Sequence, residues 1–97
     1  MHIRQTRISR RETAADMHIG SMIRQTMELR GRSVVWLAKE YGCSRVNMYK
    51  IFEKQSIDTQ ALLRLSVLLD FDFFELYRKE LHQRMSQKKQ LADELVI

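Results

Sequence analysis

Proline is absent from this chain of 97 residues, and cysteine and tryptophan occur once each and glycine three times. Without proline, nothing forces a helix to break in mid-course, because every residue keeps an amide to donate. The single cysteine, Cys43, excludes an internal disulfide, and no cysteine and histidine fall at zinc-ligand spacing. The metal and disulfide frameworks that hold many small domains together are therefore not expected. Long apolar runs are also missing, and the opening segment MHIRQTRISRRETAAD lacks the apolar stretch of a secretory signal. Neither a membrane span nor export is expected, and the expected location is cytoplasmic. Catalytic signatures are missing too: there is no glycine-rich phosphate loop, no G-x-S-x-G elbow and no H-E-x-x-H. The expectation is a protein that is not an enzyme and carries no cofactor and no metal.

What the chain does contain is charge of mostly one sign. Lysine and arginine number 17 against 12 acidic residues, a formal net charge of +5 with a pI near 9.7. That balance favours an anionic partner, nucleic acid ahead of a membrane surface. With 44% hydrophobic and 30% charged residues, a chain of this length holds one domain with a modest core, burying about 60 to 65% of its unfolded surface.

Hydrophobic spacing predicts an all-α domain of five helices over residues 17–80. The first runs from about His18 to Arg30, with Ile19, Met22, Ile23, Met27 and Leu29 as its apolar residues and Gly31 where a closing glycine is wanted. A second opens on Ser33 as N-cap, carries Val34, Leu37, Ala38 and Tyr41 on one face, and ends at Gly42. After three turn residues, with Cys43 as a small packing residue and Ser44 as the next cap, a third helix is expected from about Arg45 to Lys54. A loop around Gln55 to Ile57 leads to Asp58, which caps a strongly apolar helix bearing Ala61, Leu62, Leu65, Leu68 and Leu69 and ending at Asp70. Asp72 and Glu75 form a D-x-x-E capping box for a fifth helix with Phe73, Phe74, Leu76, Tyr77 and Leu81.

The segment Ser33 to Lys54, SVVWLAKEYGCSRVNMYKIFEK, is the informative one. Two short helices joined by a tight turn, the second basic, have the layout of a helix-turn-helix. Met48, Ile51 and Phe52 make an inward stripe on the second of these helices, while Arg45, Val46, Tyr49, Lys50 and Glu53 look away from it. Long donors, methyl groups and a phenol are side chains that can reach base edges and thymine methyls in a major groove.

The remaining features leave alternatives open. Residues 1–16, with Arg4, Arg7, Arg10 and Arg11, read either as a basic arm that follows phosphates or enters a minor groove, or as a plain disordered leader. In the extension 81–97, Leu81, Met85, Lys88, Ala92 and Leu95 recur at spacings of four and three, the pattern of a seam for a partner helix. A frayed, solvated continuation of the fifth helix fits them as well. Trp36 sits opposite the apolar face of its helix, so it either folds over a neighbouring helix or anchors a protein interface. His2, His18 and His82 are isolated and are assigned no chemistry.

Taken together, His18 to about Tyr77 resembles the five-helix DNA-binding domain of the lambda-repressor and Cro-like family, also called the XRE family. The marks are Leu37 with Ala38, the G-x-S-R turn at Gly42, Ser44 and Arg45, the pair Met48 and Ile51, and LLRLSVLL followed by a capped aromatic helix. The resemblance implies a transcriptional regulator whose helix from Arg45 enters the major groove of double-stranded DNA. It places Arg45, Val46, Asn47, Tyr49 and Lys50 as base readers, and Arg32, Ser33, Ser44, Lys54 and Gln55 at phosphates. Val34 stands where family members often carry a glutamine that braces the recognition helix or touches phosphate. Phe52 replaces a frequently acidic position. Pairing on half-sites is expected, with the C-terminal helix as the candidate for a homodimer; no small-molecule effector is evident. The competing reading is a protein-interaction module of the same fold, with Val34, Trp36 and Tyr49 as its contact surface.

Overall fold

The computed structural model describes the backbone of residues 17–96 and the side chains of residues 17–90. Among the described residues it has five helices and no strand: α1 Ile19–Leu29, α2 Val34–Tyr41, α3 Arg45–Phe52, α4 Thr59–Leu69 and α5 Phe74–Val96. The expected basic arm, residues 1–16, lies outside them.

Each short helix is stopped by local chemistry. The ring Nδ1 of His18 accepts from the Ser21 amide at 3.0 Å and so caps α1, a role that the sequence reading did not give it. At the other end of α1, the Gly31 amide bonds Glu28 and the Arg32 amide bonds Met27, both at 3.0 Å, with Gly31 at φ 72°. This pair of bonds is the Schellman closure, and it needs a residue that tolerates the left-handed region. Ser33, Ser44 and Asp58 cap α2, α3 and α4 as expected, accepting from Trp36, Asn47 and Ala61. Asp70 closes α4 in the left-handed region at φ 52°. An aspartate can do this more readily than most side chains.

Three expectations need correction. The third helix ends at Phe52 rather than Lys54, because the last turn tightens, with the Glu53 and Lys54 amides reaching back three residues to Lys50 and Ile51. The carbonyls of Lys54 and Gln55 are then drawn to the first amides of α1. Phe73 lies ahead of α5, fully buried, and the Asp72 carboxylate accepts from the Phe74 amide two residues on, while Glu75 pairs with Arg78 instead of completing a capping box. Leu29 is 86% exposed and contributes nothing to the core.

The core is a single cluster drawn from four helices and the residue before the fifth. Ile19, Ile23 and Met27 come from α1, Leu37 and Ala38 from α2, Met48 and Phe52 from α3, Leu62, Leu65 and Leu69 from α4, and Phe73 from the approach to α5. Met22, Val34, Trp36, Tyr41, Cys43, Ile51 and Leu68 pack around it, half-buried. The first turns of α5 join through Phe74, Leu76 and Tyr77. Beyond Glu80 the helix leaves the body, and every described residue from Leu81 to Gln90 is exposed.

Helix α3 is held on two sides, by α1 and by α2. The α1 contact is unusually close. The Ile19 and Gly20 amides donate to the carbonyls of Gln55 and Lys54 at 3.0 and 2.9 Å, so the open donor end of one helix satisfies acceptors just past another. Gly20 is what allows the approach. A Cβ there would stand 2.3 Å from the Phe52 carbonyl oxygen and 2.5 Å from that of Ile51.

Candidate nucleic-acid interface

Helix α3 has two chemically distinct sides. Met48 and Phe52 are buried, and Ile51 is half-buried. Arg45, Val46, Asn47, Tyr49 and Lys50 are all exposed, so the structure places the five expected base readers on the outward surface of one helix. Val46 is 64% exposed, an apolar methyl pair presented to solvent between two cations. Among the described residues, the side chains of Arg45 and Lys50 make no hydrogen bond or ion pair. Their charges are thus uncommitted within the fold. Tyr49 differs, since its ring meets Phe52 edge-on at 6.0 Å and lies beneath Arg24 of α1.

The residues expected at phosphates stand around this surface. Arg32 and Ser33 precede α2, Ser44 precedes α3, and Lys54 and Gln55 follow α3; all five are exposed. The hydroxyls of Ser33 and Ser44 accept from helix amides and remain able to donate outward. The Arg32 guanidinium lies 4.2 Å above the ring of Trp36. Trp36 is itself half-buried against the core, so this stack covers much of what an exposed tryptophan would offer a partner. Val34 is likewise half-buried.

Two other arginines are occupied with the fold, which the sequence reading did not anticipate. Arg30, at the end of α1, donates Nε to the Leu69 carbonyl at 2.9 Å and Nη2 to that of Asp70 at 2.5 Å, placing a cation on the carbonyl end of α4. Arg64 of α4 does the same for α2, donating to the Tyr41 carbonyl while its guanidinium carbon sits 4.0 Å over the Tyr41 ring. Both arrangements place positive charge against the negative end of a helix dipole. Arg30→Ala is expected to lower stability by about 1 to 2 kcal/mol, a loss of roughly 5 to 10 °C in melting temperature. Calorimetry of that variant checks it, and the exposed face of α3 should retain whatever binding it has.

Beside the loop that follows α3 lies an open groove of about 670 Å³, lined by Met17, Gln55, Phe74, Tyr77, Leu81 and Arg84 among others. Arg78 and Glu80 also line it, Arg84 pairing with Glu80 and Arg78 with Glu75. Burial pushes the Tyr77 phenol up from its ordinary range. No group of three or more histidine, cysteine or acidic side chains that could hold a metal ion occurs among the described residues. Nor is any helix among them long and apolar enough to cross a membrane.

No protein-family model matches this chain, and no curated protein or solved structure matches it either. The functional reading therefore rests on the residues and their arrangement.

Proposed function

We propose that this chain is a sequence-specific double-stranded DNA-binding transcriptional regulator of the lambda-repressor-like, XRE type, acting in the cytoplasm as a binding protein and not as an enzyme. The observation that carries the reading is α3 itself. It follows α2 across the turn Gly42, Cys43 and Ser44, buries Met48 and Phe52, and presents Arg45, Val46, Asn47 and Lys50 outward. A helix about 10 to 12 Å across fits a major groove about 12 Å wide. In that pose Arg45 and Lys50 read guanine edges or meet phosphates, Asn47 suits adenine, and Val46 suits a thymine methyl. Arg32, Ser33, Ser44, Lys54 and Gln55 then serve the backbone on either side.

The interaction-module alternative is weakened by the half-burial of Val34 and Trp36 and by the Arg32 stack, which leave those two side chains little free surface. The direct test is fluorescence anisotropy with a labelled duplex across a salt series. DNA binding predicts that log K falls linearly with log salt, by roughly 0.9 for each phosphate neutralised. Flat, weak anisotropy at low salt would end the proposal.

A single domain of this size reads few base pairs, so pairing on half-sites about 34 Å apart belongs to the proposal. The exposed Leu81 and Met85, one helical turn apart on the free part of α5, are the described residues suited to it. Lys88, the next position of the expected seam, is exposed as well, and Ala92 and Leu95, which complete it, have side chains outside the described residues. Sedimentation equilibrium should give a dimer for the parent chain and a monomer for the variant Leu81→Glu with Met85→Glu, at unchanged helicity. A monomeric parent chain at micromolar concentration would remove the seam.

A further inference from the structure

Arg24, on the exposed side of α1, has specific surroundings. Its guanidinium carbon lies 5.9 Å from the centre of the Tyr49 ring and 5.7 Å from that of Phe52, in the corner that the two edge-on rings form. Its Nε is 3.6 Å from a Glu28 carboxylate oxygen, one turn further along α1. Both ends of that pair are more than half exposed, so the bond is easily exchanged for another anion. The Ile19 and Gly20 amides anchor α1 on the chain just past α3, which fixes Arg24 along one flank of the outward face.

That flank has a definite meaning for a helix lying in a major groove. The helix nearly fills the groove, so whatever stands beside it faces a sugar-phosphate strand and not base edges. Tyr49 leans to this side, its ring held between Phe52 and Arg24. We infer, resting on the DNA-binding reading, that Arg24 and Tyr49 together form a DNA-backbone phosphate site on the α1 flank of α3, with Tyr49 serving there and not as a base reader. The guanidinium offers a planar fork of donors matched to phosphate oxygens, and the phenol hydroxyl adds one more. Stacking on the rings holds the fork in place without using any of its hydrogen-bond donors. Glu28 is the resident anion that the phosphate displaces.

The test is a salt series on a set of duplexes of different sequence, with the full chain and the variants Arg24→Ala, Tyr49→Phe and Glu28→Gln. All three positions are exposed, and helicity and melting temperature are checked first. A phosphate site predicts that Arg24→Ala weakens binding roughly tenfold on every duplex, lowers the salt slope by about 0.9, and leaves the order of sequence preference intact. Tyr49→Phe should weaken all duplexes alike, by less. Glu28→Gln should tighten binding, since it removes the competing carboxylate. An unchanged slope for Arg24→Ala, with the parent chain binding normally, overturns this site alone. A changed preference at one base position in Tyr49→Phe returns Tyr49 to base reading and overturns the site as stated. No binding by the parent chain overturns the DNA reading and this site with it.

Discussion

Replacing Gly20 with alanine is expected to cost about 3 kcal/mol or more, and to lower the melting temperature by roughly 15 °C. The new methyl would meet the carbonyl oxygens of Phe52 and Ile51 at 2.3 and 2.5 Å. These are backbone atoms at the end of a helix, so no side-chain rotation can relieve the contact. Helix α1 must back away, and the two bonds from the Ile19 and Gly20 amides to Gln55 and Lys54 stretch with it. The effect runs against intrinsic propensity, because alanine in place of a helical glycine should by itself stabilise by about 1 kcal/mol. Gly31→Ala is the control. There the backbone is left-handed but a Cβ would meet nothing within 4 Å, so only conformational strain of about 1 kcal/mol is expected. Thermal melts of the two variants side by side check the claim, and a Gly20→Ala melt within a few degrees of the parent would refute it.

The second large effect concerns binding and leaves stability alone. Arg45→Ala combined with Lys50→Ala should reduce discrimination between the preferred duplex and a scrambled one by on the order of a hundredfold, given about 1 to 3 kcal/mol for each reader. Both side chains are exposed and engage no other group among the described residues. Removing them should therefore shift stability by less than about 0.5 kcal/mol. Competition titrations measure the discrimination, and circular dichroism the fold. Retained preference in a folded double variant would mean that Arg45 and Lys50 do not read the sequence.

Much of this architecture can be read in the sequence because its determinants are local. Ser33, Ser44 and Asp58 cap helices through contacts three residues long, and Gly31 and Gly42 close them through backbone conformation, so each boundary is set within one turn. The inward stripe Met48, Ile51 and Phe52 fixes which side of α3 faces out. The five exposed residues of the candidate interface follow from that stripe.

What escaped the sequence is nonlocal. Nothing near Arg30 or Arg64 announces that each will sit on the carbonyl end of a helix 39 or 23 residues away. Composition counts them as basic surface, but in the fold they neutralise helix ends. Tyr49 looks outward by periodicity, and only the docking of α1 brings Arg24 over its ring. Gly20 did leave a trace. A glycine inside an otherwise helical pattern weakens a helix, and such a position is a reason to suspect a close backbone approach. The early end of α3 is set locally by its tightened last turn, but the use of the carbonyls beyond it by α1 is nonlocal.

The most direct test of the central claim is selection of bound duplexes from a randomised pool by the full chain at near-physiological salt. An enriched motif is expected, with an inverted repeat within it if the chain binds as a pair. A pool that stays random after repeated rounds, with a chain that remains folded, would contradict sequence-specific recognition by α3.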